Sequence, residues 1–465
     1  MTTDTERAGT TGTEELALDI ARDLVIAGPP CWQRMEAAFA LTATAESARV
    51  VFTDRGREVR TVPSRSVLAA VREHRALSAG EPWWRLTFDL KNTGELEVVA
   101  DHGEERFPDD QLFPPEIYLT DLEAHPRGRL PVWLAAHVHH RDRQVRTPQR
   151  AAAAAREDRA NGVLPVLSQR DFPDFPHMWA RWATISAAFV ACGSTWGPRV
   201  GPAFGWFEGA ARSGSTLYTL PGGRAVLSGG EWDAPALDAA YNGGAELPAL
   251  YAGAPDWVTD QVLNPRAARG MLSFCYWWEG GRWYRGESPT SDKCERSVPG
   301  VWTAGTVTDM VAGLIAEHPA DEHRSAATAL LAAAEAGTVT GDVLAHAFGD
   351  DGRYDIDGAL HQFSLAGLTA AVPEQMPEED AIARVRQYIL GRGLDTTGYP
   401  LSELTADRFS VGWMVFVPVR PGEIAIGRAL FYIADDGVLE QSSSSVAPSR
   451  FIAEFERRYH ERQGA

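Results

Sequence analysis

The sequence predicts an α+β fold made of several modules, each a small antiparallel sheet packed with helices. Three observations carry that prediction. Apolar–polar alternating runs meet at tight turns in "LTFDLKNTGELEV" (Leu86–Val98), "LSFCYWWEGGRWYR" (Leu272–Arg285) and "GRALFYIADDGVLEQSSS" (Gly427–Ser444). Runs with helical spacing stand between these hairpins. The chain is 465 residues long with 44% hydrophobic and 23% charged residues, enough for two to four ordinary cores.

In order, "TEELALDIARDLVIAG" (Thr13–Gly28) reads as a helix. Thr13 is its expected N-cap, Leu16, Ile20, Leu24 and Val25 fall at helical spacing, and Gly28-Pro29-Pro30 stops it. "CWQRMEAAFALTATAESARVVFTDRGREV" (Cys31–Val59) reads as two strands around a turn at Asp54–Gly56. "SRSVLAAVREHRALS" (Ser64–Ser78) is helical, and Asn92-Thr93-Gly94 turns the first hairpin. "FPPEIYLTDLEAHPRGRLPVWLAAH" (Phe113–His137) closes a module over 1–140 with a helix and a Pro-bounded tail.

Residues 141–176 are Arg- and Ala-rich, then Pro-rich, and read as a linker with some helix. Residues 177–318 read as a divergent second copy of the first module. "WQRMEAAFAL" (Trp32–Leu41) is echoed by "WATISAAFVA" (Trp182–Ala191), hairpin follows hairpin, and Thr120-Asp121 is echoed by Thr308-Asp309 in a following helix. Residues 319–375 are helical. The last module, 376–465, holds the amphipathic helix "PEEDAIARVRQYILGRG" (Pro377–Gly393), the strand "SVGWMVFVPVR" (Ser410–Arg420) and the hairpin turning at Asp435-Asp436-Gly437. After "QSSSSVAPS" (Gln441–Ser449), with Ser449 or a neighbour as cap, a helix with Phe451, Ile452, Phe455 and Tyr459 on one face closes the chain.

Net charge is −19, and lysine occurs only at 91 and 293. Such a surface repels phosphate backbones and anionic membranes, which excludes nucleic-acid and lipid partners, and speeds encounter with a basic protein. No apolar run is long enough to span a bilayer, and the polar N-terminus lacks a secretory pattern, so a cytoplasmic protein is expected. Cys31, Cys192, Cys275 and Cys294 have no C-x-x-C spacing and suit free thiols in a reducing compartment.

No motif supplies a catalytic constellation, and no cofactor is implied. His137, His139 and His140 in "WLAAHVHHRDR" have offsets of 0, 2 and 3 with no carboxylate between them, unlike the H-E-x-x-H zinc helix. "DDGRYDID" (Asp350–Asp357) has acids out of phase with a calcium loop. The serines of "QSSSSVAPS" lack a nucleophile-elbow context. The sequence therefore points to no catalytic residue and no metal ligand.

The stretches "IARDLVIAGPPCWQRMEAAFALT", "WWRLTFDLKNTGELEVVAD" and "FPPEIYLTDLEAHPRGRLPVWL" together resemble the YezG-type immunity proteins of bacterial polymorphic-toxin systems over residues 14–136. Residues 177–318 resemble that pattern more distantly, with "RWYRGES" in place of the acidic "VVADHGEE". "AIARVRQYI", "GWMVFVPV" and "GRALFYIADDGVLEQSSSSVAPSRFIAEFERRY" resemble YrhB-like immunity proteins over residues 380–460. The resemblance implies a non-enzymatic polyimmunity protein that occludes a cognate toxin, basic if it is a nuclease. Expected contacts are Asp101, Glu104, Glu105, Asp109 and Asp110 in the first module. Asp435, Asp436 and Glu440 are expected in the last, and Trp277 and Trp278 are expected as strand-edge anchors. Two other classes remain: a regulatory or scaffold protein binding another cytosolic protein, and a hydrolase or metal enzyme using His137–His140.

Overall fold

The computed structural model describes residues 3–78, 80–209, 212–349, 351–370, 375–419 and 427–463. It is an α+β protein that divides into two compact units, Met1–Thr369 and Ala370–Ala465. Among the described residues there are three antiparallel sheets, of five, seven and four strands.

The first unit opens with α1 (Thr3–Ile26), β1 (Arg34–Leu41), β2 (Glu46–Asp54), β3 (Arg57–Thr61), α2 (Arg65–Ala76), β4 (Arg85–Lys91) and β5 (Leu96–Asp101). The strands order β3-β2-β1-β4-β5. Met35, Ala37, Phe39 and Leu41 alternate along β1 onto one face and meet Ile20, Leu24, Val67 and Val71 of α1 and α2. The helix predicted from Thr13 begins ten residues earlier; no proline in residues 3–26 stops the turns from continuing.

Where two strands were expected over 31–59 there are three. The extra turn, Thr42–Ala45, has no glycine or proline. It is closed by the Thr42 hydroxyl, which accepts from the Ala45 amide at 3.0 Å, and by Asp121, which accepts from the Ala43 amide at 2.6 Å. Asp121 lies on α3 (Pro115–Ala124) and is fully buried. It also accepts from Arg75 at 2.8 and 2.9 Å and from the Trp84 indole at 2.7 Å.

After α4 (Val132–His139) the stretch expected to be a linker folds into α5 (Pro148–Ala160) and β6 (Val166–Ser168). It is bound into the unit: the Gln144 side chain donates to the Leu272 carbonyl and accepts from the Leu272 amide, and Asp158 accepts from the Gly253 amide. Next come α6 (Phe175–Ala191), β7 (Arg199–Gly201), β8 (Phe204–Glu208), β9 (Gly214–Leu220), β10 (Arg224–Gly230), α7 (Pro235–Tyr241), β11 (Phe274–Glu279) and β12 (Arg282–Arg285). These strands form a meander, with β6 added beside β12.

Among the described residues the expected echoes do not fold alike. Trp32–Leu41 lies along β1, whereas its proposed echo, Trp182–Ala191, is the buried half of α6. The two hairpins sit in sheets of different strand order, and Asp309, the counterpart of buried Asp121, is exposed.

Helices α8 (Ala304–Ile315), α9 (Asp321–Glu335), α10 (Gly341–Phe348) and α11 (Ile356–Ala366) pack with α6 on one face of the seven-stranded sheet, so the 319–369 helices complete the middle core rather than forming a segment of their own. The loops between α7 and β11 cover the other face through Leu250, Tyr251, Val258 and Leu263.

The second unit holds α12 (Glu378–Gly391), β13 (Thr405–Phe409), β14 (Gly412–Phe416), β15 (Ala429–Ala434), β16 (Leu439–Ser443) and α13 (Pro448–Gln463). Val385 and Ile389 of α12 pack on one face of the four-stranded sheet with Phe431 and Ile433, and Phe455 and Tyr459 of α13 pack on the other with Tyr432. Helix α13 starts at Pro448, so Ser449 lies inside it rather than at the cap. Among the described residues no helix is long and apolar enough to cross a membrane.

Candidate functional site

The acidic turn after β5 is held rigidly. Asp101 is buried, accepts from the Gly103 amide at 2.8 Å, and is ion-paired with Arg85 at 3.3 Å. Burial pushes its carboxyl up from the ordinary range, and the neighbouring Glu104 carboxylate adds to the rise. Gly103 sits at φ +94°, a conformation that favours glycine, and its carbonyl accepts from the Trp133 indole at 2.7 Å. Phe107 is buried between Tyr118 and Trp133.

From this anchored loop Glu104, Glu105, Asp109 and Asp110 project into solvent. Glu105 pairs with Arg212 at 2.6 Å, Asp109 with Arg106 at 2.8 Å, and Asp110 stands 3.9 Å from Arg49. Pairs this exposed are weak and exchange readily with water or a partner. Asp101 therefore positions the turn instead of presenting a charge.

The turn borders a cleft of about 1030 Å³ in the first unit, between the α3–α4 region and the seven-stranded sheet. Five arginines line it, Arg106, Arg141, Arg212, Arg266 and Arg269, against two carboxylates, Asp142 and Glu208. Glu208 is ion-paired with Arg266. Burial pushes the Arg266 guanidinium down from its ordinary value, and Glu208 opposes that shift. Trp133 and Trp232 stack in the wall with centroids 6.2 Å apart, and Trp206 keeps 44% of its surface exposed.

His137 and His140 also line the cleft, but Nε2 of each is engaged. His137 Nε2 is 2.9 Å from the Phe113 carbonyl, and His140 Nε2 accepts from the Gln144 amide at 3.1 Å. Gly270, at φ +70°, packs so closely that a Cβ there would meet the His140 ring at 2.7 Å. Among the described residues no group of three His, Cys, Asp or Glu side chains is arranged to hold a metal ion. In the calcium-like stretch Asp350 lies outside the described residues, and Asp355 caps α11 by accepting from the Gly358 amide.

The remaining sequence-predicted residues have structural partners. Trp277 and Trp278 are 1% and 7% exposed and point into separate cores on the two faces of β11, so neither is an exposed anchor. Helices cover one face and loops the other. In the second unit the Asp435 side chain is 5% exposed. It accepts twice from Arg408 at 2.7 Å and once from the Met376 amide. Burial opposes ionisation, yet Arg408 and that amide hold its carboxyl below the usual range. Asp436 pairs with Arg462 at 3.1 Å and Glu440 with Arg458 at 2.7 Å, both partly exposed.

Burial holds His74, His137, His139 and His140 below the ordinary histidine value. The unfolded chain takes up these protons near pH 6.5 and the folded chain only at lower pH, so their contribution to stability is present above 6.5 and is lost as pH falls through the folded values. The melting temperature of the first unit is expected to drop between pH 7.5 and 5.5. Asp101 works in the opposite direction, but from the carboxylate range. A melting temperature that stays level or rises over that window contradicts this.

Comparison with protein-family models and with characterised proteins finds no match to this chain.

Proposed function

We propose that the protein is an immunity-type binding protein, acting in the cytoplasm, that neutralises a basic bacterial toxin by occluding it. The observation that carries this reading is the turn after β5: a buried carboxylate and a buried phenylalanine fix a loop from which four carboxylates project. A preorganised, predominantly acidic array favours fast and selective docking of a basic partner, because little ordering is left to be done on binding. The net charge of −19 and the resemblance to YezG-like and YrhB-like immunity proteins support the same reading. A nuclease suits the partner's part, since its own substrate site must be basic. In the second unit Asp436 and Glu440 are partly exposed and each is paired with an arginine, so they would add to docking only by exchanging those partners.

The test is co-expression with any toxic product of the genes that flank this one. Restored growth and a stable complex on purification are expected. Unrelieved toxicity together with failure to co-purify would overturn the proposal.

A further inference from the structure

We infer that the cleft of the first unit binds a ligand that joins an oxyanion to a planar aromatic ring. This goes beyond the toxin-binding reading and is tested separately: Arg106 and Arg212 pair with Asp109 and Glu105 of the acidic turn, whereas Arg141 and Arg269 do not.

The first ground is charge segregation. A chain of net charge −19 places five arginines around one cavity; Arg266, Arg212 and Arg106 are ion-paired with Glu208, Glu105 and Asp109, which leaves two guanidinium groups to one further lining carboxylate, Asp142. Three of these arginines are chained through the backbone: Arg266 donates to the Arg212 carbonyl at 3.4 Å, and Arg212 to the Arg106 carbonyl at 3.5 Å. Arg141 and Arg269 are exposed and have no side-chain partner among the described residues. Clustered guanidinium groups repel one another unless an anion lies between them, and their planar forks match carboxylate and phosphate.

The second ground is backbone conformation. Five non-glycine residues have positive φ among the described residues, and three of them line this cleft: Arg141 (45°), Asp142 (57°) and Arg212 (55°). L-residues enter this region at a cost and persist there when the surroundings demand it, most often at ligand sites. Here the cost places charged side chains at the cavity.

The third ground is the wall. The half-exposed Trp206 offers an indole face beside the arginines, and stacking on such a face accepts any planar ring. The volume, about 1030 Å³, lies at the upper end of the range for small-molecule sites, so a ligand the size of a nucleotide fits better than a bare ion.

The full chain should be titrated, with tryptophan fluorescence and calorimetry as readouts, against AMP (ring with phosphate), benzoate (ring with carboxylate), inorganic phosphate (charge alone) and adenosine (ring alone). Saturable binding of AMP or benzoate is expected, at least tenfold tighter than inorganic phosphate or adenosine; whichever of the two binds assigns the phosphate or the carboxylate form. Arg141→Ala, Arg269→Ala and Trp206→Ala alter exposed side chains and should each weaken that binding at least fivefold with the melting temperature unchanged. Absence of saturation by both AMP and benzoate overturns the inference, as does binding that all three variants leave unaltered.

Discussion

Replacing Asp121 by alanine is expected to destabilise the first unit by about 3–5 kcal/mol, the usual cost of removing one member of a buried ion pair. The carboxylate has no exposure, and its pair with Arg75 is buried on both sides. Without it the Arg75 guanidinium would remain in the interior with only the Trp83 carbonyl to accept from it. The Trp84 indole and the Ala43 amide would lose their acceptor at the same time. Arg127, packed 3.4 Å over the Trp84 ring and already disfavoured as a cation by burial, would lose a nearby negative charge. Urea unfolding reads the effect directly. A loss below about 1 kcal/mol, the size typical of one ordinary hydrogen bond, would show that the network does not act as a unit.

Trp277→Ala is expected to cost about 3–5 kcal/mol, the range for truncating a large aromatic in a packed core. Its ring packs with Leu272, Val258 and Tyr251 and stacks on Tyr284 with centroids 6.3 Å apart. The same variant separates a core residue from an interface anchor. A lower unfolding midpoint without a specific binding defect is expected; an unchanged midpoint with lost partner binding would return Trp277 to the surface.

The hairpins were legible because their turns are local. Asn92-Thr93-Gly94, Gly280-Gly281 and Asp435-Asp436-Gly437 each place glycine at positive φ, which a dipeptide can announce. The Thr42–Ala45 turn could not be read this way, since one of its acceptors lies 78 residues ahead in the chain. Helix α6 misled for another reason. It is buried on nearly every side, so its apolar run has no polar face to reveal a helical period and could be aligned with a strand. Adjacent tryptophans on opposite sheet faces were readable from strand geometry, but whether something covers each face is a tertiary fact. The acidic turn was visible as composition; which of its acids is buried was not. The cleft was not visible at all, because its arginines come from positions 106 to 269 and converge only through the packing of the seven-stranded sheet.

The central claim is that fixed negative charge on the β5 turn docks a basic partner. It is tested most directly by measuring the affinity of a toxic product of a flanking gene for the wild-type chain and for a variant carrying Glu104→Lys, Glu105→Lys, Asp109→Lys and Asp110→Lys together. All four side chains are exposed, so the fold should persist. Binding is expected to weaken about 100-fold or more at low salt, mainly through slower association. An affinity equal to wild type in a folded variant would contradict the claim.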